Sequence, residues 1–251
     1  MAFRIIPRLD IKPPNLVKGI NLEGVRKLGD PALFAKEYYR QGADELFYQD
    51  IVASLYGREG FMDLVLQTAK ELFIPLTVGG GLRTIDDIQK VLRHGADKVC
   101  LNTQVTLRPQ FIKEASKLFG NQCIVVALEV ISIADEKRWE PLINNGREHT
   151  GFDAIEWAER AVDLGAGELL ITSINKEGTK KGFDFEFGDY LIDKLRIPII
   201  IHGGAGSVED IVEAAKKGYA GVAISSILHY EISTIKEIKN ALNLAKIDVR
   251  I

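Results

Sequence analysis

The sequence predicts an α/β fold: one (β/α)8 barrel, of the TIM-barrel type, over residues 1–251. Two observations carry this prediction. Short runs rich in β-branched residues alternate with amphipathic stretches along the whole chain, and segments of the first half recur in the second. Eight strand–helix units in about 250 residues are typical of such a barrel. An open, doubly wound sheet shares the alternation and is the second candidate.

The apolar runs predict eight strands, each followed by a helix. In chain order the predicted strands are RIIPRLDI, ELFYQDIV, IPLTV, KVCLN, CIVVALEV, ELLITSI, IPIII and AGVAIS. Apolar residues at helical spacing predict the intervening helices. These are PALFAKEYYRQ, REGFMDLVLQTAKEL, TIDDIQKVLRH, RPQFIKEASKLF, FDAIEWAERAVDL and SVEDIVEAAKK, with a last helix near TIKEIKNALNLA.

An internal repeat decides between the two folds. Residues 74–88 read IPLTVGGGLRTIDDI, and residues 197–211 read IPIIIHGGAGSVEDI. The same shift places GADEL at 42–46 on GAGEL at 165–169. A four-strand unit leaves its sheet edges unpaired, whereas two such units closing on each other pair every edge. We therefore expect two duplicated half-barrels in a single domain.

Charge and hydropathy exclude other classes of protein. The formal net charge is -3, and hydrophobic residues make up 46% of the chain. This charge does not favour binding to nucleic acid or to a membrane surface, and no apolar run approaches the ~20 residues of a membrane span. The N-terminus has no charged and then apolar leader. We expect a cytoplasmic protein without nucleic-acid or membrane partners.

Chemistry in this fold takes place at the C-terminal ends of the strands. Asp10 ends the first predicted strand and Glu129 the fifth, on opposite sides of the barrel mouth. Glycines that let backbone N–H groups converge, next to a residue that opens a helix, form an anion cradle. One candidate cradle lies in each half, the first made of Gly80, Gly81, Asn102 and Thr103 and the second of Gly203, Gly204, Ser225 and Ser226. Two cradles across one mouth suit a ligand phosphorylated at both ends, although the glycines could also serve only to turn the chain.

These residues carry a family resemblance that covers essentially the whole chain. The segments RIIPRLD, LVKGINLEG, GADEL, IPLTVGGG, GADKVCLNT, QCIVVA, GAGELLITS, GTKKGFD, GGAG and the closing DVR resemble the cyclase subunit of imidazole glycerol phosphate synthase, HisF. The resemblance implies a lyase of histidine biosynthesis that needs no cofactor. It also implies a HisH-like glutaminase partner that docks on the N-terminal face of the barrel and delivers ammonia through it. The ammonia would convert a bisphosphorylated aminoimidazole-carboxamide ribonucleotide to imidazole glycerol phosphate.

The resemblance also implies roles for individual residues. Asp10 and Glu129 correspond to two aspartates that serve as general acid and base. The implied substrate and phosphate contacts are Lys18, Gly80, Gly81, Asn102, Thr103, Thr172, Gly178, His202, Gly203, Gly204, Ser225 and Ser226. The implied ammonia gate at the barrel floor is Arg4, Glu45, Lys98 and Glu168, although paired charges there could equally serve stability. The long segment from residue 12 to residue 29 carries Lys18 and predicts a mobile lid. His94, His149 and His229 have no companion histidines at ligand spacing, so we expect no metal site.

Several residues at the mouth depart from the family pattern. Glu129 stands where the family has Asp, His202 where it has Ser, and Arg8 where it usually has Cys. In the SINKEGT segment, Asn175 and Glu177 replace aspartates. Strand alternation points Arg8 into the barrel, where a long cation needs an anion; the candidates are Glu45, Glu129 and Glu168. A bound phosphate would favour the protonated form of His202.

These departures keep two alternatives open. The first is a HisF paralogue that uses ammonia to form an acetamidino group on a surface-polysaccharide sugar, which PRLDIK at 7–12 and NGREHTG at 145–151 resemble. The second is a catalytically weak scaffold that activates a glutaminase. The cyclase interpretation ranks first because both cradles, Asp10 and Lys18 are intact.

Overall fold

The computed structural model describes residues 2–52, 59–133 and 138–250. These residues form one twelve-stranded sheet. Its strands are β1 (Arg4–Lys12), β2 (Asn15–Ile20), β3 (Glu23–Gly29), β4 (Leu46–Asp50), β5 (Leu76–Gly79), β6 (Lys98–Leu101), β7 (Ile124–Ile133), β8 (Arg138–Ile143), β9 (Glu148–His149), β10 (Glu168–Ser173), β11 (Ile199–His202) and β12 (Gly221–Ile224). Eight of them pair in parallel in the order β1, β4, β5, β6, β7, β10, β11, β12 and back to β1. The predicted (β/α)8 barrel is confirmed.

Helices connect the strands and pack on the outside of the barrel. They are α1 (Pro31–Arg40), α2 (Glu59–Glu71), α3 (Ile85–Arg93), α4 (Thr103–Leu107), α5 (Gln110–Phe119), α6 (Ala154–Asp163), α7 (Phe185–Lys194), α8 (Val208–Lys216), α9 (Ser226–His229) and α10 (Ile235–Leu244). Corresponding helices of the two halves begin alike. Thr84 and Ser207 form capping boxes at α3 and α8, while Asp30 and Asp153 cap α1 and α6. Because these side chains satisfy the first free N–H groups, the duplication fixes the helix starts as well as the strands.

The barrel interior is layered along its axis. Successive side chains of a strand alternate between its two faces, so Arg4, Ile6, Arg8 and Asp10 of β1 point inward one above another. Arg4 lies at the floor and Asp10 at the mouth. Ile6 belongs to an apolar layer between them that also contains Phe47, Cys100, Val125, Ala127, Leu170, Ile200 and Ala223. Charged layers therefore lie below and above an apolar one.

Two hairpins extend from barrel strands at the mouth. β2 pairs with β1 and with β3 in antiparallel fashion, and β8 pairs in the same way with β7 and β9. Residues 12–29, predicted as a long connecting loop that acts as a mobile lid, form the β2–β3 hairpin instead, because their backbone groups pair with the sheet. Movement of this segment as a lid stays a prediction. In the described part of the chain, no helix has the length and apolarity required to cross a membrane.

Candidate active site

Two carboxyl groups lie at the barrel mouth. Asp10 is near the end of β1 and Glu129 is on β7, four strands further round the barrel, and each residue is 5% exposed. Two buried carboxyl groups on opposite strands are a candidate pair for proton transfer. Their surroundings differ in charge, and this difference separates their protonation states.

Asp10 lies beside two cations. Arg8 Nε donates to Asp10 Oδ1 at 3.0 Å, and Lys18 Nζ lies 3.9 Å from Asp10 Oδ2. Burial by itself raises the pKa of Asp10, but the charges of Arg8 and Lys18 outweigh it and hold this pKa below its ordinary value. Asp10 is therefore a carboxylate at neutral pH.

Glu129 is held by neutral donors. Asn102 Nδ2 donates to Glu129 Oε2 at 3.0 Å, and the backbone N–H of Gly146 also donates to this carboxyl group. Burial raises the pKa of Glu129 to about 7, although the charge of Arg8 and both hydrogen bonds act to lower it. At neutral pH a large fraction of Glu129 therefore carries a proton.

The first cradle opens into a large cavity. This cavity has a volume of about 360 Å³, and its lining includes Gly80, Gly81, Asn102, Thr103, Arg8 and Glu129. Gly80 and Gly81 have φ values of 99° and 61°, and a Cβ at Gly80 would collide with the Asp50 carbonyl. Glycine is required there. The structure brings the predicted residues of the first half together, next to one of the two carboxyl groups.

The second cradle is nearly filled. Its lining brings together Lys18, Gly178, His202, Gly203, Gly204, Ser225 and Ser226, around a cavity of only about 10 Å³. That volume is close to the minimum for one water molecule. The Ser225 hydroxyl donates to the Arg8 carbonyl at 2.8 Å, so its proton is already engaged within the protein. A phosphate group can enter this cradle only if neighbouring side chains move.

Lys18, the implied phosphate clamp, is engaged by a side chain of the protein. It is 3% exposed and forms a buried ion pair with Glu177, which is fully buried. Glu177 Oε2 also accepts from the backbone N–H of Leu22 at 2.9 Å, and the Glu177 carbonyl accepts from the N–H of Asn21 at 2.9 Å. The β2–β3 hairpin is therefore tied to the segment between β10 and α7.

Arg8 has a partner that differs from the predicted ones. It is 1% exposed, it bonds Asp10, and its Cζ lies 5.3 Å from the Phe47 ring centroid. The predictions of Glu45 and Glu168 as partners are wrong, because both bind cations at the barrel floor.

Glu129, the third predicted partner, acts on Arg8 through its charge without a hydrogen bond. In the described part of the chain, Arg8 Nη2 is buried without a hydrogen-bond partner.

His202 is a buried neutral side chain at the end of β11. It is 3% exposed, and its Nδ1 lies 3.1 Å from Thr172 Oγ1 and 3.4 Å from Arg8 Nη1. Burial, together with the charges of Arg8 and Lys18, holds the pKa of His202 well below its ordinary value. His202 is therefore neutral in the protein without a ligand, whereas its protonation by a bound phosphate stays a prediction.

The four implied gate residues form a closed ring of ion pairs at the barrel floor. Arg4 binds Glu45 at 2.7 Å and Glu168 at 2.9 Å. Lys98 binds Glu45 at 3.0 Å and Glu168 at 3.5 Å. Each anion contacts both cations, so the ring spans the barrel below the apolar layer. The predicted juxtaposition is present, whereas gating stays a prediction.

The β8–β9 turn adds residues that the sequence argument missed. Asn144, Asn145 and Arg147 line the first cavity together with Arg83. The N–H of Asn144 donates to Thr103 Oγ1 at 3.0 Å, and Asn144 and Asn145 have φ values of 53° and 61°. Asn-Asn-Gly between two apolar runs is a hairpin signal, so the turn was detectable. Its position over the mouth was not, because that depends on the antiparallel pairing of β8 with β7.

Comparison with known proteins agrees with this geometry. Residues 4–234 match the family model described as histidine biosynthesis protein. The chain is 50% identical over 207 residues to the imidazole glycerol phosphate synthase subunit HisF of Legionella pneumophila, which covers 82% of this chain and 97% of the relative. A match of this extent, on a barrel with two cradles and two carboxyl groups at its mouth, shows that the chain belongs to the HisF family of histidine biosynthesis proteins.

Proposed function

We propose that this chain, working as a single domain, is the ammonia-dependent cyclase subunit of imidazole glycerol phosphate synthase. Its substrate is a bisphosphorylated aminoimidazole-carboxamide ribonucleotide. Ammonia condenses with the open-chain arm of this substrate with loss of one water, the glycerol-phosphate arm closes into an imidazole ring, and the carboxamide ribotide leaves. The observation that carries the proposal is that Asp10 and Glu129 lie on opposite strands of a barrel mouth that also holds two glycine cradles, in a chain 50% identical over 207 residues to a HisF subunit.

The two carboxyl groups take different parts in proton transfer. Asp10 is ionised because Arg8 and Lys18 lie beside it, so it accepts protons. Glu129 has a pKa of about 7 and holds a proton that it can donate near neutral pH. A pair of titratable groups whose pKa values are pushed apart by their surroundings supplies a general base and a general acid.

The two cradles hold the two phosphate groups of the substrate. The first has room for a phosphate and more, since its cavity of about 360 Å³ also reaches Glu129. At the second, a phosphate takes the place of Glu177 as the partner of Lys18, which requires the β2–β3 hairpin to shift. Because the phosphate replaces the Glu177 carboxylate, Lys18 keeps an anionic partner, and its buried charge is never left without compensation.

Ammonia reaches the mouth through the barrel from a glutaminase on its N-terminal face. The ring of Arg4, Glu45, Lys98 and Glu168 lies at that end, and the apolar layer above it suits a small neutral molecule better than an ion. We also propose that this chain works in the cytoplasm together with its glutaminase.

The test of the proposal bypasses the glutaminase. The protein is supplied with a high concentration of ammonium at alkaline pH and the bisphosphorylated ribonucleotide, and turnover is followed by the change in absorbance. We expect turnover with the wild-type protein and none with Asp10→Asn, which is similar in size but cannot accept a proton. A folded wild-type protein without turnover would refute the cyclase and favour the acetamidino or scaffold alternative.

A second experiment tests the cradles directly. Crystals soaked with phosphate should show one ion at Gly81, Asn102 and Thr103 and another at Gly204, Ser225 and Ser226. Occupancy of the first place alone at saturating phosphate would contradict the two-ended ligand, and two empty places would refute both cradles.

A further inference from the structure

Arg8 is a buried cation whose geometric role in the proposed reaction goes beyond its charge. It lies on β1 between the apolar layer and the mouth, with its guanidinium above the Phe47 ring. A fully buried cation is costly unless an anion compensates it. The directly bound anion is Asp10, two residues further along the same face of β1, which accepts from Arg8 Nε.

Arg8 binds one of the two carboxyl groups at the mouth directly and not the other. Arg8 Nε bonds Asp10 at 3.0 Å, whereas in the described part of the chain no cation lies within ion-pair distance of Glu129, which bonds Asn102 and Gly146 instead. Arg8 Nη1 points toward His202 on β11. The guanidinium is thus fixed on the Asp10 side of the barrel.

We propose that Arg8 is a positioning residue that fixes the Asp10 carboxylate for proton abstraction and leaves proton donation to Glu129. The proposal rests on the cyclase function given above.

Other charged or titratable groups face the same site from each neighbouring element. They are Lys18 on β2, Cys100 on β6, Glu129 on β7, Glu177 in the segment between β10 and α7, His202 on β11 and His229 at the end of α9. Within the described residues, Lys18 is the only other cation at ion-pair distance from Asp10, with its Nζ 3.9 Å from Asp10 Oδ2. Its ion pair with Glu177 offsets part of its charge. Arg8 is therefore the stronger influence on Asp10, in agreement with its shorter distance.

The test is the pH dependence of ammonium-driven turnover in Arg8→Met, compared at equal concentrations of free ammonia. Methionine fills much of the arginine volume without its charge. Removal of a cation that favours ionisation of both carboxyl groups should move the whole pH profile toward higher pH. Loss of the Nε bond should also lower kcat by about 10²-fold, the usual effect of a displacement near 1 Å. A lower rate with an unmoved pH profile would overturn the proposal, because a purely structural role predicts that result.

Arg8→Lys is the matched variant. It keeps the charge but loses the planar donor, so its pH profile should stay close to that of the wild-type protein while kcat falls. A profile that shifts as far as that of Arg8→Met would contradict the role of the charge. Far-UV circular dichroism and the melting temperature establish that both variants fold.

A measurement without substrate separates this proposal from the cyclase function. Carbon-13 NMR titration of the Asp10 and Glu129 carboxyl groups should show both titrations displaced to higher pH in Arg8→Met. If the wild-type protein lacks cyclase turnover but these titrations move, the cyclase function fails while the electrostatic role of Arg8 holds. Unmoved titrations would refute that role even in an active enzyme.

Discussion

Replacement of Glu129 with glutamine should stabilise the protein at alkaline pH and leave its stability unchanged at acid pH. Glutamine has nearly the same shape as glutamate and can still accept from Asn102 Nδ2, but it never ionises. The wild-type side chain, by contrast, must ionise inside the barrel, away from water and without a directly bound cation among the described residues.

The magnitude follows from the two pKa values of Glu129. Burial raises the pKa from 4.5 to about 7 in the folded protein. Below the unfolded pKa both states hold the proton, and Glu129 contributes nothing. As pH rises toward the folded pKa, the unfolded chain releases its proton while the folded protein keeps it, so the free energy of unfolding falls. This rise of the pKa lowers the free energy of unfolding by about 3 kcal/mol, and the full effect is reached above neutral pH.

Urea unfolding of the wild-type protein and the variant at a series of pH values measures this difference. We expect the two free energies of unfolding to agree near pH ~4 and to diverge by about 3 kcal/mol near pH ~8, with the variant more stable. Glu186→Gln is the control, since Glu186 is an exposed glutamate in the first turn of α7. If the free energies of unfolding of Glu129→Gln and of the wild-type protein differ by the same amount at every pH, Glu129 titrates normally. That result would refute the assignment of Glu129 as proton donor.

Three further predictions concern the hairpin, the floor and the second cradle. Glu177→Gln removes the buried anion of Lys18 and should lower the free energy needed to open the β2–β3 hairpin by about 3 kcal/mol. Hydrogen exchange at the Leu22 amide should then accelerate roughly 100-fold. Unchanged protection of this amide would show that Glu177 does not hold the hairpin in place. Arg4→Met leaves the floor anions with Lys98 alone and should cost about 3 kcal/mol, which lowers the melting temperature by roughly 6–12 °C; an unchanged melting temperature would mean that the ring has no stabilising role. His202→Ser should leave the pH dependence of phosphate affinity unchanged over about pH 6–8, because burial and nearby cations hold the pKa of His202 well below its ordinary value; a calorimetric titration in which the variant loses a pH dependence would show a protonated ligand instead.

The sequence alone determined the barrel and the places of its polar groups along the strands. Alternation of apolar runs and the repeat of IPLTVGGG as IPIIIHGG are local patterns, and strand periodicity converts them directly into a face and a height in the barrel. Asp10 and Glu129 at the mouth, and Arg4 and Lys98 at the floor, followed from their strand positions.

The tertiary structure decided which of these groups meet and in which protonation state. Sequence reasoning sought an anion for Arg8 at Glu45, Glu129 or Glu168, whereas it bonds Asp10 on its own strand. The partner of a long side chain depends on the direction in which the side chain points and on which anions are already bound by other cations. Neither can be read from a strand pattern.

Desolvation separates the two carboxyl groups, and it too exists only in the folded protein. Asp10 and Glu129 are equally exposed, but the cation beside Asp10 and the neutral donors around Glu129 push their pKa values apart. Likewise, Lys18 meets Glu177, which is 159 positions away, and the second cradle is filled in consequence. The sequence placed the charges at each level of the barrel. Closure of the barrel and exclusion of water then decided which charges are paired, which groups are neutral and which cradle is open. Each of these outcomes depends on distances between segments that are remote in the chain.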